Sequence, residues 1–302
     1  MAPDARPFPL PIVDHHAHLR PGPSGMAAAR AFAAQGGTDL FLATQNYLPR
    51  PPRSLEEYRE QFSTTEALAK TVREETGLRV YVVVAPYPID LVHAVPDLPL
   101  KEAEALQTRA LELASREVAE HRAVALGEVG LPHFPTEPPV LEALERVLDV
   151  ALRLAKEVGC PAVLHTDDLD AAGYRRLAER GARCGLAPQR MVKHYARTYL
   201  PPEERSGLTA SFLAKRDLVR QALRDPGPWF LETDFLDDPT RPGVALPLDT
   251  VPRRARTLWN NPAIPGVDTE AALRVPFVDA PQRIYGLDLV REIPFVFREG
   301  GA

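Results

Sequence analysis

The sequence predicts one α/β domain, a (β/α)8 TIM barrel followed by a C-terminal loop and helical tail. Three observations carry this prediction. Short, β-rich apolar runs alternate with helical stretches along most of the chain, the order expected of parallel βαβ units. Eight such runs can be read, the number that closes a barrel. Several runs are followed directly by ligand-type side chains, and in a barrel all strand C-termini meet at one mouth. A length of 302 residues suits this fold and supports a large core without disulfide or metal staples.

Each element has a local reason. Leu10 to Asp14 reads as the first strand and runs into a histidine cluster. Ser24 to Gln35 is Ala-rich and stops at Gly36-Gly37, a helix with its C-cap. Leu40 to Ala43 is a short apolar run. Ser54, with Glu57 three residues on, makes a capping box that opens a helix lasting to about Glu75. Leu78 to Ala85 is β-branched and apolar on both faces, as a parallel barrel strand is. Lys101–Glu120, Val140–Val158 and Ala171–Gly181 are helical, with strands at Ala123–Glu128 and Ala162–His165. Met191–His194 and Leu208–Leu213 are strands; Pro201-Pro202 between them leaves space for only a short helix. Ala214–Arg224 is helical, and Trp229–Asp234 is the last strand.

After Asp237 the texture changes. Asp238 to Arg253 carries Pro239, Pro242, Pro247 and Pro252 without a clear period, and reads as a long loop. No repeat or linker divides the chain. A single domain is therefore expected, with a barrel core over about 10–234 and a tail over about 235–302.

Composition narrows the function. At 45% hydrophobic and 25% charged the chain is an ordinary globular one, and no stretch reaches the ~18 apolar residues of a membrane span. The net charge of −5 argues against a broad basic face for duplex DNA, though not against a local patch. Only Cys160 and Cys184 are present, so no disulfide framework is implied and a reducing compartment fits. Residues Met1 to Pro11 have no apolar core of a secretory signal, and a cytoplasmic location is expected.

The chemistry begins at Asp14-His15-His16-Ala17-His18. Strand alternation would point Asp14, His16 and His18 inward at the mouth, and His15 and Ala17 towards the helices. Two imidazoles spaced in this way can share a divalent ion; two buried, hydrogen-bonded histidines are the alternative. Later strands favour the metal. Glu128 ends the fourth strand in Gly-Glu-Val-Gly, His165 the fifth, His194 the sixth and Asp234 the eighth. Converging at one mouth, these groups have enough nitrogen and oxygen donors for two first-row metals.

This ordered set, His-x-His, Glu, His, His, Asp, resembles the TatD family of metal-dependent hydrolases within the amidohydrolase superfamily. Gly-Glu-Val-Gly-Leu at 127–131 and Leu-Glu-Thr-Asp at 231–234 are particularly similar. Asp279-Ala-Pro-Gln-Arg-Ile-Tyr-Gly-Leu287 resembles that family's closing Asn-Ala-x-x-x-Phe-Gly-Leu segment. The likeness runs from Ile12 to Leu287. It implies a dinuclear barrel that hydrolyses phosphoesters, often in DNA. Carried over, His16, His18 and Asp234 would hold one ion, His165 and His194 the other, and Glu128 would bridge. The ions could be Zn, Mn, Ni, Co or Mg. A metal-bridging hydroxide would attack phosphorus, with Asp234 orienting it and taking its proton.

The substrate-facing loops depart from the family pattern. Leu19-Arg20 stands where an acidic residue usually follows the histidine pair. Asp167 replaces an arginine two residues past His165, and Tyr195-Ala-Arg-Thr replaces a Cys-Phe-Ser/Thr-Gly type segment. Arg20, Lys193, Arg197 and Arg241 lie at or just beyond strand ends, where they could clamp a phosphate or be solvated surface charges. His133, in a proline-flanked loop, could contact substrate. Glu232 could support a ligand histidine or pair with an arginine; Asp14 is expected to orient a ligand histidine, and His15 to be structural. The leading expectation is a phosphoester hydrolase that could act at DNA ends. The alternative is a C–N or lactone hydrolase using the same ions on a carbonyl carbon, and the third is a non-catalytic metal-binding barrel.

Overall fold

The structure is a computed structural model and describes residues 8–238, 246–261 and 264–290. In chain order the elements are β1 (Val13–His18), α1 (Pro23–Ala34), β2 (Asp39–Ala43), α2 (Leu55–Thr76), β3 (Arg79–Val84), α3 (Pro88–Ala94) and α4 (Leu100–Ala119). Then come β4 (Ala125–Gly130), α5 (Pro138–Val158), β5 (Ala162–His165), α6 (Ala171–Arg183), β6 (Met191–Ala196) and β7 (Thr209–Leu213). The last are α7 (Arg216–Ala222), β8 (Trp229–Glu232), β9 (Phe235–Leu236), α8 (Thr250–Asn260), α9 (Thr269–Arg274) and α10 (Ala280–Tyr285).

The strands form one parallel sheet in the order β8-β7-β6-β5-β4-β3-β2-β1-β9. Only Thr233 and Asp234 separate β8 from β9, and β9 pairs with β1 through Ala17–Phe235 and His18–Leu236. The sheet therefore curls until its two edges meet, giving an α/β barrel-like fold. One extra short strand departs from the eight expected. Asp234 adopts a left-handed backbone (φ 49°), which interrupts what the sequence reads as a single strand.

Helix ends follow their sequence signals. The Ser54 side chain accepts the Glu57 N–H at the start of α2, and Gly77 ends it at φ 73°. The carboxylate of Glu57 reaches back to the Arg53 N–H (2.6 Å), one residue before the cap. Between β6 and β7 only a single 3-10 turn fits, at Pro202–Arg205. Two expectations are corrected. The tail loop does not run to Arg253, because α8 starts at Thr250, and Pro252 lies in its first turn, where a missing N–H is harmless. The first strand starts at Val13 and not at Leu10, and the histidine cluster makes up its C-terminal part. Residues 239–245 of the expected loop lie outside the described residues.

Leu40, Leu42, Val80, Val82 and Leu164 pack against α1–α6, whereas Val13, Phe41, Val83, Ala125 and Val163 belong to a second cluster that also takes in residues of α7, α8 and α9. Ala280 and Ile284 of α10 pack on Val192 and Phe230. Arg190, just before β6, donates to the Ile284 carbonyl, and Arg79 at the start of β3 donates to that of Leu289. Residues 280–289 thus cover the end of the sheet opposite the strand C-termini. No helix among the described residues is long and apolar enough to cross a membrane, and Cys160 and Cys184 are buried free thiols.

Candidate metal centre

Three strands break register, and each break delivers a site residue. In β1, Asp14 opposes Leu40 but Ala17 opposes Leu42, so His15 and His16 share one position. In β4, Gly127 opposes Val163 and Val129 opposes Leu164, leaving Glu128 extra. In β6, Lys193 opposes Ala210 and Ala196 opposes Phe212, so His194 and Tyr195 share one position. Such bulges re-aim side chains that strict alternation would turn away.

The bulge corrects the reading of β1. His15 does not face the helices; its ring stacks on Phe230 at 4.0 Å, beside Phe41 at 5.1 Å, inside the sheet. His16 turns to the mouth in the same direction. Asp14 does not reach a ligand ring. Its carboxylate accepts the N–H of His16 (3.1 Å) and both the N–H and hydroxyl of Thr233 (3.1 and 2.7 Å), which ties β1 to the end of β8.

The six expected ligand residues converge. His16, Glu128, His194 and Asp234 offer donor atoms that all lie within 4.8 Å of one another. Glu128 Oε1 is 3.0 Å from His16 Nε2, 2.8 Å from His194 Nε2, 3.7 Å from His165 Nδ1 and 3.8 Å from His18 Nε2. On one side, Asp234 Oδ1 lies 3.9 Å from both His16 and His18, whose Nε2 atoms are 3.2 Å apart. On the other, His165 Nδ1 and His194 Nε2 are 3.3 Å apart. Glu128 touches both groups.

Burial and charge set the protonation. Burial alone would lift the Glu128 carboxyl, but His194, His16 and His165 hold it well below the usual range. Burial would lower His194, but Glu128 and Glu232 push it up to about 10. Burial pushes Asp234 up to about 7, against the pull of His194 and His18. The donor set fits divalent transition ions. All six donors are imidazole nitrogens or carboxylate oxygens, and the His18 Nδ1 lies 3.1 Å from the Ala43 carbonyl, which turns the Nε2 lone pair into the cluster.

The cluster opens into a cavity of about 350 Å³. Arg20, Tyr87, His133, Asp167, Tyr195 and Arg197 are among its walls. His133 Nδ1 is 3.2 Å from the outer nitrogen of His165, and Arg20 donates to the Asn46 carbonyl. Arg197 pairs with Asp167 at 3.2 Å and lies over the Tyr195 ring. Lys193 is placed elsewhere: it is fully buried on the opposite face of β6, where its ammonium donates to the carbonyls of Thr166 and His194. It is therefore removed from the phosphate-clamp candidates. Arg241 lies outside the described residues. Sequence reasoning missed Tyr87, whose hydroxyl is 3.5 Å from His165 Nε2. Its position just beyond the apolar run of β3 is the signal that could have found it.

The family model described as TatD related DNase matches residues 13–275. An uncharacterized protein of Methanocaldococcus jannaschii, MJ1127, is 29% identical over 286 residues, covering 93% of this chain and 97% of its own. The crystal structure of the TatD homolog YJJV from Escherichia coli K12 superposes with a TM-score of 0.60 at 20% identity, covering 91% of this chain and 98% of that one. A mutant of a PTE-like lactonase from Deinococcus radiodurans superposes with a TM-score of 0.57 at 18% identity, covering 92% and 95%. At these identities both structures speak to the fold.

Proposed function

The chain belongs to the TatD-related DNase family, and on that premise we propose that it is a dinuclear metal-dependent hydrolase that cleaves phosphoesters, DNA ends among them. The observation that carries this reading is the convergence of His16, Glu128, His194 and Asp234, with donor atoms all within 4.8 Å of one another, beside a cavity that His18, Glu128, His165, His194 and Asp234 line. His16, His18 and Asp234 would hold one ion, His165 and His194 the other, and Glu128, in reach of both groups, would span them. When bound, such ions lower the pKa of water and neutralise charge on the scissile group.

The chain's own residues do the rest. Asp234 would take up the proton of the attacking water as a general base. Arg20, Arg197 and His133 line the cavity and would bind the substrate's anionic oxygens. We read β8 and β9 as one interrupted strand, which makes the sheet a (β/α)8 barrel within a single domain, with its core over about 10–234 and its tail beyond. A cytoplasmic location accords with the two free thiols.

The test is metal analysis of the purified protein together with hydrolysis of bis-p-nitrophenyl phosphate and single-stranded oligonucleotides. Two ions per chain are expected, with kcat/KM reduced by at least about 100-fold in Glu128→Ala and Asp234→Asn. Metal-loaded protein inert to every phosphoester overturns the reading. The Arg197–Asp167 pair favours a second reading, because it removes free positive charge from the mouth. In that case the same centre attacks a carbonyl carbon, and a panel of amides and lactones separates the two. Less than one ion per chain, with no hydrolysis after reloading, points to a non-catalytic barrel.

A further inference from the structure

Beneath the candidate ligands, a buried polar column runs from the mouth to the covered end of the sheet. Glu232 and His15 are both fully buried. Glu232 Oε1 accepts the N–H of Tyr195 at 2.6 Å and lies 3.5 Å from His194 Nδ1. Its Oε2 lies 3.8 Å from His15 Nδ1, which is also 3.1 Å from the Ser211 hydroxyl. At its far side, His15 Nε2 is 2.7 Å from the Tyr285 hydroxyl on α10. The Tyr285 ring packs on Phe41 at 4.8 Å and on Phe230 at 5.8 Å.

A buried carboxylate is unfavourable unless donors surround it. Among the described residues no lysine or arginine forms a salt bridge with Glu232; its side-chain partners are the two imidazoles. At 3.5 and 3.8 Å the two imidazoles face the carboxylate without hydrogen-bonding to it, so the coupling is electrostatic: an ionised carboxylate favours the tautomers that carry an Nδ1–H on the side turned towards it. For His15 this leaves Nε2 as an acceptor, and the Tyr285 O–H donates to it. For His194 it leaves the Nε2 lone pair facing Glu128 and the ligand cluster. The proton positions along the column are thus interdependent, from a helix on one end of the sheet to a ligand on the other.

We infer that Tyr285 and His15 are positioning residues for His194, acting through Glu232. The Tyr285 hydroxyl selects the His15 tautomer, His15 orients the Glu232 carboxylate, and Glu232 holds the His194 ring with Nε2 turned into the cluster. The inference rests on the proposal that His194 is a metal ligand.

The test uses the full-length protein stripped of metal and titrated with zinc by calorimetry. Tyr285→Phe removes only a hydroxyl and keeps the ring packing. It is expected to weaken zinc binding about fivefold, the worth of one hydrogen bond. Glu232→Gln is expected to weaken it about 10- to 100-fold. The double variant should be no weaker than Glu232→Gln alone, because the tyrosine acts through the carboxylate; a packing defect would add. Should Glu232→Gln fail to fold, Tyr285→Phe decides alone, read by zinc affinity and by the visible spectrum of the cobalt-loaded protein, which shifts when a ligand ring turns. Unchanged affinity and spectrum in Tyr285→Phe, or additive losses in the double variant, overturn the inference. A wild type that binds no zinc overturns the metal reading itself, and the inference with it.

Discussion

A buried ammonium is tolerated only when its protons are taken up, and Lys193 gives its own to the carbonyls of Thr166 and His194. Burial accordingly pushes its pKa down to about 8. Both carbonyls belong to segments that carry candidate ligands, so the residue braces the mouth from behind. Replacing it with methionine leaves two carbonyls without their donor and should destabilise the fold by about 1–3 kcal/mol in denaturant titrations. KM for a phosphoester should stay unchanged; a raised KM at constant stability would instead mark Lys193 as a phosphate clamp.

Among the elements, β4 shows most plainly how backbone shape makes a site. A Cβ on Gly130, whose φ is 151°, would sit 1.9 Å from the carbonyl oxygen of His165, which is backbone and cannot swing away. Gly130→Ala must therefore push β5 aside and carry His165 with it. A lower melting temperature together with weaker zinc binding is expected, and normal values for both would refute this coupling. Helix α3, which the sequence reading left out, presents a different case. Its Asp90 is buried, with the Tyr58 hydroxyl 3.4 Å away, and burial pushes its pKa up to about 7. Because the folded pKa lies above the unfolded value, the folded state binds more protons between about pH 4 and 7, and stability falls as pH rises through that window. Asp90→Asn should flatten this decline in thermal melts from pH 5 to pH 8, raising the melting temperature at the alkaline end.

At the scale of the whole molecule, the candidate ligands come from β1, β4, β5, β6 and the β8–β9 junction, so one site ties together strands from most of the chain. Ions that bind only the folded arrangement stabilise it by mass action, by about 2.7 kcal/mol when free metal is 100-fold above Kd. Chelation should lower the melting temperature by several degrees, and zinc should restore it. In Glu128→Ala the same chelator should have little effect. An equal response in both proteins would place the stabilising metal elsewhere. The net charge of −5 would be no obstacle to an anionic substrate if the proposed ions are bound, because they would supply positive charge at the mouth.

Much of this was legible in the chain itself. Apolar runs followed by His, Glu or Asp announced both the barrel-like sheet and the residues that meet at its mouth, because parallel strands bring their C-termini to one end. The face each side chain occupies was less legible. Period-two alternation assigned His15 to the helices, and the place of Lys193 at a strand end made it a clamp candidate. Register breaks of one residue at β1, β4 and β6 re-aim the candidate ligands, and no local sequence pattern encodes a bulge whose partner strand lies dozens of residues away. The column from Tyr285 to His194 was hidden for the same reason. The order of polar groups along the sequence determined which chemistry this protein carries. Only tertiary packing, by deciding which buried donors face which acceptors, determined which of those groups hold the others in place.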